Sequence, residues 1–304
     1  MLVLIRGAGD IATGVAVRLH RCGFSVLLTE LPNPTAVRRT VAFSEAVYRG
    51  TASVEGITAR LCESEATART AFEQGEPAVM IDPAGESVSA FRPDVLVDAM
   101  LAKRNLGTQI SDAPLVIALG PGFTAGVDCH CVVETMRGHT LGRCIYTGSA
   151  LPNTGVPGSV GGYTRDRVLY APAAGVFHAH QPIGAMVAAG DTVADVGGIS
   201  IRAEIEGCLR GILPDGISVP AGMKAGDIDP RCAREHCFTV SDKALAIGGG
   251  VLEAILTLQT RISRQELPTA LVMLAAGNSE RFGENKLLYP VNGKPMYEHL
   301  ADQV

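Results

Sequence analysis

With 304 residues, 47% of them hydrophobic and 19% charged, the chain has the apolar content of two or three packed domains and is not disordered. Its net charge of −5 and lack of any Lys/Arg-rich run exclude nucleic acid and anionic membrane surfaces as general partners. No apolar run approaches the ~20 residues of a bilayer span. Met1-Leu-Val-Leu-Ile5 passes directly into a glycine loop, unlike a signal peptide, so a cytoplasmic location is expected, with the eight cysteines as thiols.

The first elements follow from the apolar pattern. Leu2 to Ile5 is a buried-type strand, Arg6-Gly-Ala-Gly-Asp10 a tight turn and Ile11 to Cys22 a helix that Gly23 closes. Phe24 to Thr29 is the next strand, ending on Glu30. Short apolar runs at Ala78 to Ile81, Val95 to Asp98 and Leu115 to Leu119 continue the alternation, which predicts an α/β fold with a parallel sheet. Gly148 to Gly162 is rich in Gly, Pro, Asn and Ser and reads as a domain junction.

An internal repeat follows. Ala171-Pro-Ala-Ala-Gly-Val-Phe177 with Val187 to Val193 recurs as Ala203-Glu-Ile-Glu-Gly-Cys-Leu209 with Val219 to Ile228. Each copy reads as strand, turn, strand with glycines at the bends. Two such halves resemble a small biotinyl/lipoyl-like barrel-sandwich domain. Carrier members of that fold hold a lysine on the hairpin between the halves; Val196 to Arg202 has none, so no biotin or lipoyl attachment is expected. Ser241 or Asp242 caps a helix through Leu258 whose Gly248-Gly249-Gly250 demands a reason, either close packing or a backbone site for an anion.

Three clusters are candidates for binding. Gly7-Ala-Gly9-Asp10-Ile-Ala12 fits G-x-G-x-x-A at a strand-to-helix turn, with Glu30 placed to accept ribose hydroxyls. Asp10 argues for caution, because it puts a negative charge beside the expected phosphate. Lys103 and Arg104 follow the strand ending at Asp98, where an anion would bind. Gly120, Gly122, Phe123, Asp128 and His130 belong to the densest polar block. If Asp128 to Glu134 were one strand, Asp128, His130 and Glu134 would share a face, which would then be a site or an interface. All three loops are expected at the carboxyl edge of one sheet and therefore around one cleft. No catalytic residue is identifiable: no Ser–His–Asp arrangement, H-E-x-x-H or Walker loop is present. No metal site is expected; zinc on Cys129 or Cys131 with Cys232, His236 and Cys237 is the weaker alternative to buried thiols.

Two resemblances give these motifs a context. Leu271 to Leu288, with Ala275-Ala-Gly277, Ser279, Arg281, Gly283 and Lys286, resembles the LAAGxSxRFGxxKLL start of molybdenum cofactor cytidylyltransferases, cut short at Val304. Gly7 to Gly14, Glu30 to Thr40, Ala102 to Gly107, Gly120 to Asp128, Glu134 to His139 and Ser241 to Gly250 resemble the YqeB-type accessory proteins of selenium-dependent molybdenum hydroxylases. Their Rossmann part is similar to that of XdhC-type chaperones. The repeat and the composition break divide the chain into four expected segments: a Rossmann-like domain (1–165), the barrel-sandwich (166–231), a returning helix and linker (232–267) and the truncated nucleotidyltransferase-like segment (268–304). The resemblance implies a maturation factor that binds a molybdopterin-type cofactor or nucleotide and serves a molybdenum hydroxylase client. The alternatives are an NAD(P)-dependent oxidoreductase and a structural adaptor docking the hydroxylase; a homodimer is the default assembly.

Overall fold

The computed structural model describes residues 1–263, 290–295 and 298. The chain divides into two compact units, Met1–Ile262 and Ser263–Val304. In the larger unit, β1 (Leu2–Arg6), α1 (Asp10–Arg21) and β2 (Ser25–Glu30) come first. Two short helical turns and α2 (Ala46–Arg49) lead to the hairpin β3 (Thr51–Val54) and β4 (Ile57–Leu61). Then follow α3 (Glu65–Glu73), β5 (Ala78–Ile81), α4 (Ser87–Phe91), β6 (Val95–Asp98), β7 (Leu115–Leu119), β8 (Cys131–Val133) and β9 (Cys144–Ile145).

These strands form one nine-stranded sheet in the order β3-β4-β5-β2-β1-β6-β7-β8-β9. From β4 to β8 every pairing is parallel, and only the edge strands β3 and β9 run antiparallel. Alternation along the strands divides the core. Val3, Ile5, Val97 and Ile117 pack on one face with Val15 and Leu19 of α1. Leu4, Leu27, Leu96 and Val116 face the other way, against Ala68 and Ala71 of α3. Cys131 and Cys129 fall in opposite clusters although they are two residues apart, because β8 begins only at Cys131 and the alternation does not extend back to Cys129. Each fully buried Leu, Ile or Val contributes about 1.5–3 kcal/mol, which is why central strands read as unbroken apolar runs.

The polar block does not form a long strand. β8 covers three residues because the flanking side chains bind local backbone instead. Asp128 accepts the Thr124 amide at 2.7 Å, closing a turn, and His130 Nδ1 accepts the Val116 amide at 3.0 Å. Glu134 then accepts the Thr135 and Met136 amides, both at 2.7 Å, and ends the strand.

Residues 168 to 229 form two four-stranded antiparallel sheets. Their strands are β10 (Val168–Tyr170), β11 (Gly175–Ala179), β12 (Met186–Val187), β13 (Thr192–Val196), β14 (Ile199–Arg202), β15 (Gly207–Ile212), β16 (Ser218–Val219) and β17 (Lys224–Asp229). The sheets have the orders β10-β17-β15-β12 and β14-β13-β11-β16. The repeat explains these orders: Gly175 and Gly207, Met186 and Ser218, and Thr192 and Lys224 begin equivalent strands 32 residues apart. Each half lends a strand to the other's sheet, β11 pairing with β16 and β12 with β15. Phe177, Val193 and Val196 of one sheet meet Leu209, Ile212 and Ile228 of the other in a single core.

After a short helical turn at Arg234–Cys237, α5 (Asp242–Ser263) returns to the large sheet. The Ser241 hydroxyl caps it, accepting the Ala244 amide at 3.2 Å. The glycine triplet serves packing. A Cβ on Gly248 would lie 3.0 Å from the Gly14 carbonyl of α1, and one on Gly250 would overlap the Gly142 carbonyl. Gly249 faces open space.

In the smaller unit, Pro290–Val291 and Lys294–Pro295 form a hairpin, β18 and β19. Its turn residues Asn292 and Gly293 have φ of +49° and +83°, the signs a type I′ turn requires. The expected strand and glycine loop from Leu271 to Lys286 lie outside the described residues.

The triplet yields a paired test. Gly250→Ala is expected to destabilise the fold by about 1–3 kcal/mol through overpacking. Gly249→Ala is expected to stabilise it by up to about 1 kcal/mol through helix propensity. Thermal or urea unfolding of the two variants measures both signs.

Candidate functional site

Because β1, β6, β7 and β8 are parallel, the loops that follow them all leave the same edge of the sheet. They are packed on one another. An ideal Cβ on Gly7 would lie 3.1 Å from the Ala99 carbonyl, and one on Gly122 only 2.6 Å from the Arg104 backbone. Gly7 (φ +102°) and Gly122 (φ +108°) also hold backbone conformations that a side chain would strain. Asp98, buried at the end of β6, accepts the Thr108 hydroxyl at 2.6 Å and the Met100 amide at 3.1 Å. Arg6 donates to the same Thr108 hydroxyl, so the 99–108 loop is tied to two strand ends. Burial pushes the Asp98 carboxyl above its ordinary value, and the Thr108 hydroxyl opposes that shift.

Between this edge and the small sheet that holds β15 and β17 lies a cleft of about 570 Å³. α1 contributes Asp10 and Ile11 to its wall; the loop after β2 contributes Arg38, and the loop after β6 contributes Leu101 and Lys103. Pro121 and the run Glu134 to Arg137 come from the loops after β7 and β8. The far wall carries Arg167, Arg210, Lys224 and Asp227, and the start of α5 adds Ser241 and Lys243.

Seven cationic side chains thus face three carboxylates. One carboxylate is already committed, since Glu134 accepts the amides of Thr135, Met136 and Leu151 at 2.7–2.8 Å. Arg137 is held by Asp242 in a two-pronged pair at 2.7 and 2.9 Å, and Arg167 is paired with Asp227. The Arg137 guanidinium holds the Asp242 carboxyl well below the usual range. Lys103, Lys224 and Lys243 make no ion pair among the described residues. Burial, and then the Arg137 charge, lower the Lys243 ammonium. The cleft is therefore electropositive although the whole chain is acidic.

Of the residues singled out in the sequence, Asp10 and Lys103 line this cleft. Gly9 caps α1 beside Asp10, while Ala12 is buried under the helix. Glu30 accepts the amides of Ala8 and Leu31, at 2.8 and 3.1 Å, and so anchors the glycine loop. Gly7, Gly120 and Gly122 make the close approaches between loops, Gly120 against Thr135. Arg104 is exposed and stands outside the cleft. Phe123, expected at the mouth, is instead 3% exposed and packed in the core, since its aromatic ring buries against Ala125 and Val132. Asp128 and His130 also lie outside the cleft, spent on the backbone bonds described above. No group of three or more His, Cys, Asp or Glu able to hold a metal ion occurs among the described residues. All eight cysteines are free.

Sequence reasoning did not single out Arg38, Arg137, Arg167, Arg210, Lys224 or Lys243. Arg38, Arg137 and Lys243 sat inside motif blocks and carried a local signal. Arg167, Arg210 and Lys224 lay outside those blocks and had none.

Residues 271–304 match the MobA-like NTP transferase domain. Over 257 residues, 84% of the chain, the sequence is 53% identical to the uncharacterized protein YqeB of Escherichia coli (strain K12). The match covers 48% of that protein, so the chain spans about half the length of the curated relative it matches. Among solved structures, an aspartoacylase family protein from Mesorhizobium loti aligns at 12% identity over 75% of this chain and 84% of that one, with a TM-score of 0.25. The product-bound ectoine utilization protein EutE (DoeB) from Ruegeria pomeroyi aligns at 14% identity over 67% of this chain and 57% of its own, with a TM-score of 0.21. Overlaps this small carry no argument about fold or activity. Among the described residues, no helix is long and apolar enough to cross a membrane.

His130 offers a test of the site's scaffold. Burial lowers its imidazole, and its Nδ1 must stay unprotonated to accept the Val116 amide. A folded-state value below the unfolded 6.5 means that the stabilisation is present above about pH 6.5 and is lost as pH falls through the folded value. Unfolding midpoints measured from pH 7.5 to 5 should therefore fall in the wild type. They should fall less steeply in His130→Asn, whose Oδ1 keeps an acceptor at that position but does not titrate.

Proposed function

We propose that the chain is an accessory protein that binds an anionic, pterin- or nucleotide-bearing molybdenum cofactor in the electropositive cleft and delivers or modifies it for a molybdenum hydroxylase client. The observation that carries this reading is the surplus of cations at the carboxyl edge of a parallel sheet, in a chain whose net charge is −5. The MobA-like segment supports it by context: a nucleotide-related or molybdopterin-related ligand is what such a neighbour suggests. The selenium-dependent character of the client rests on the sequence resemblance alone.

The cleft suits such a group. Its volume falls in the range of small-molecule sites, and Lys103, Lys224 and Lys243 stand without carboxylate partners. When bound, the cofactor would supply the metal-binding dithiolene chemistry. The chain's own residues would bind its charged end, with Arg137 held in place by Asp242 and the Met136 and Leu151 side chains supplying apolar wall.

We take residues 1–165 as a Rossmann-like domain, 166–231 as a barrel-sandwich, 232–267 as a returning helix and linker and 268–304 as a nucleotidyltransferase-like segment. A cytoplasmic homodimer completes the proposal. The nicotinamide-dinucleotide alternative has less support. The Ala8 amide and the Glu30 carboxylate, which would meet the dinucleotide, are bonded to each other at 2.8 Å. Asp10 already places a negative charge at the start of α1.

Calorimetry with a molybdopterin-type cofactor, CTP, NAD and NADP tests the reading. Binding of the pterin ligand is expected, and tight NAD binding with turnover of a carbonyl or amine substrate would overturn it. Lys103→Ala should weaken cofactor binding by about 1.5–3 kcal/mol, the worth of one charge-assisted contact. Arg104→Ala should leave binding unchanged, because that side chain stands outside the cleft.

A further inference from the structure

Two buried arginines on the cleft wall are held rigidly and paired poorly. Arg38 belongs to the segment after β2 and Arg210 to β15, yet the backbone brings them together. The Ile212 amide donates to the Val37 carbonyl at 2.8 Å, and Arg39 Nε donates to the Ile212 carbonyl at 2.9 Å. Gly211 makes this possible, since a Cβ there would lie 2.8 Å from the Val37 carbonyl and 3.3 Å from Arg38 Cγ.

Arg38 is 8% exposed and Arg210 7%, and both line the cleft. Their counter-charges are weak. Arg38 Nη1 is 3.3 Å from an Asp10 carboxylate that is itself partly exposed, and its Nη2 donates only to the carbonyls of His236 and Thr239. Arg210 Nη1 stands 3.5 Å from Asp229 Oδ2, but Arg231 already grips both oxygens of Asp229 at 2.6–2.8 Å. The Nε atom of each arginine is buried without an acceptor. Burial, and next the charge of Arg38, push the Arg210 guanidinium below its ordinary value.

Two desolvated guanidiniums sharing no strong carboxylate are costly unless an anion completes them. A carboxylate ligand satisfies one such fork. A tetrahedral dianion has the charge and the acceptor oxygens for two. We infer that Arg38 and Arg210 form the seat of a terminal phosphate monoester on the ligand of this cleft. This assignment rests on the cleft being the ligand site and adds the chemical class of the group bound there.

Inorganic phosphate, titrated into the full chain at constant ionic strength against chloride, is the probe. Calorimetry and the unfolding temperature are the readouts. Saturable binding that raises the unfolding temperature is expected in the wild type. Arg210→Met, close in volume and uncharged, should fold and lose roughly tenfold or more in phosphate affinity. If that variant does not fold, Arg38→Lys, which keeps the charge but not the fork, should weaken phosphate binding in the same direction. Absence of saturable phosphate binding in the wild type, or wild-type affinity in the variant that folds, overturns the inference. Cofactor binding that phosphate does not compete with overturns the seat and leaves the cleft reading standing. Phosphate binding without cofactor binding does the reverse.

Discussion

The backbone contact between the last long helix and the first governs the rest of the larger unit. α5 can lie on α1 only because Gly14 and Gly248 remove the side chains that would hold them apart, and it meets the 138–143 loop only because Gly142 and Gly250 do the same. A Cβ on Gly14 would come within 2.5 Å of the Ala244 Cβ, so the tolerance is nil. Once α5 is seated, Ile247, Val251 and Ile255 complete the core over β1 and β7. The same seating delivers Ser241, Lys243 and the Arg137–Asp242 pair to the cleft, so packing on the sheet face and chemistry at its edge have one cause.

Carboxylates and cations divide their labour at that edge. Asp98, Asp128, Glu30 and Glu134 accept backbone amides or a hydroxyl and fix the loops that follow β2, β6, β7 and β8. Local donors thus take up the hydrogen-bonding capacity of these carboxylates. The cations receive no comparable compensation from the protein backbone beyond the carbonyls that Arg38 and Arg167 use. A rigid rim with residual positive potential is the outcome, and preorganisation of this kind spares a ligand the cost of ordering the loops.

The small sheets supply more than a lid. Their reciprocal strand exchange makes each half unable to close its core alone, which fixes the relative position of β15 and β17. Those two strands present Arg210, Lys224 and Asp227 to the cleft. Asp10 has a further electrostatic consequence. At the first turn of α1 it fills, with the protein's own carboxylate, the place where helix dipoles attract phosphate, and it ion-pairs with Arg38 from there.

The sequence by itself determined the central strands. Ala78–Ile81, Val95–Asp98 and Leu115–Leu119 are where their apolar runs put them, because a central parallel strand is covered on both faces over most of its length, with the polar Asp98 and the exposed Ile81 only at strand ends. It also determined the repeat, since glycines recur at equivalent bends, and the Ser241 cap, whose hydroxyl acts within one turn. These are local or periodic constraints. Only the tertiary structure decided that Phe123 is core, that Asp128 and His130 bind backbone rather than ligand, and that β8 stops after three residues. Polar residues in a run show that partners are needed but not whether backbone or ligand provides them. The cleft was equally hidden: Arg38, Arg210 and Lys243 come from three separate segments of the chain. Their shared charge exists only because parallel strands, exchanged strands and a returning helix bring three distant segments to one edge.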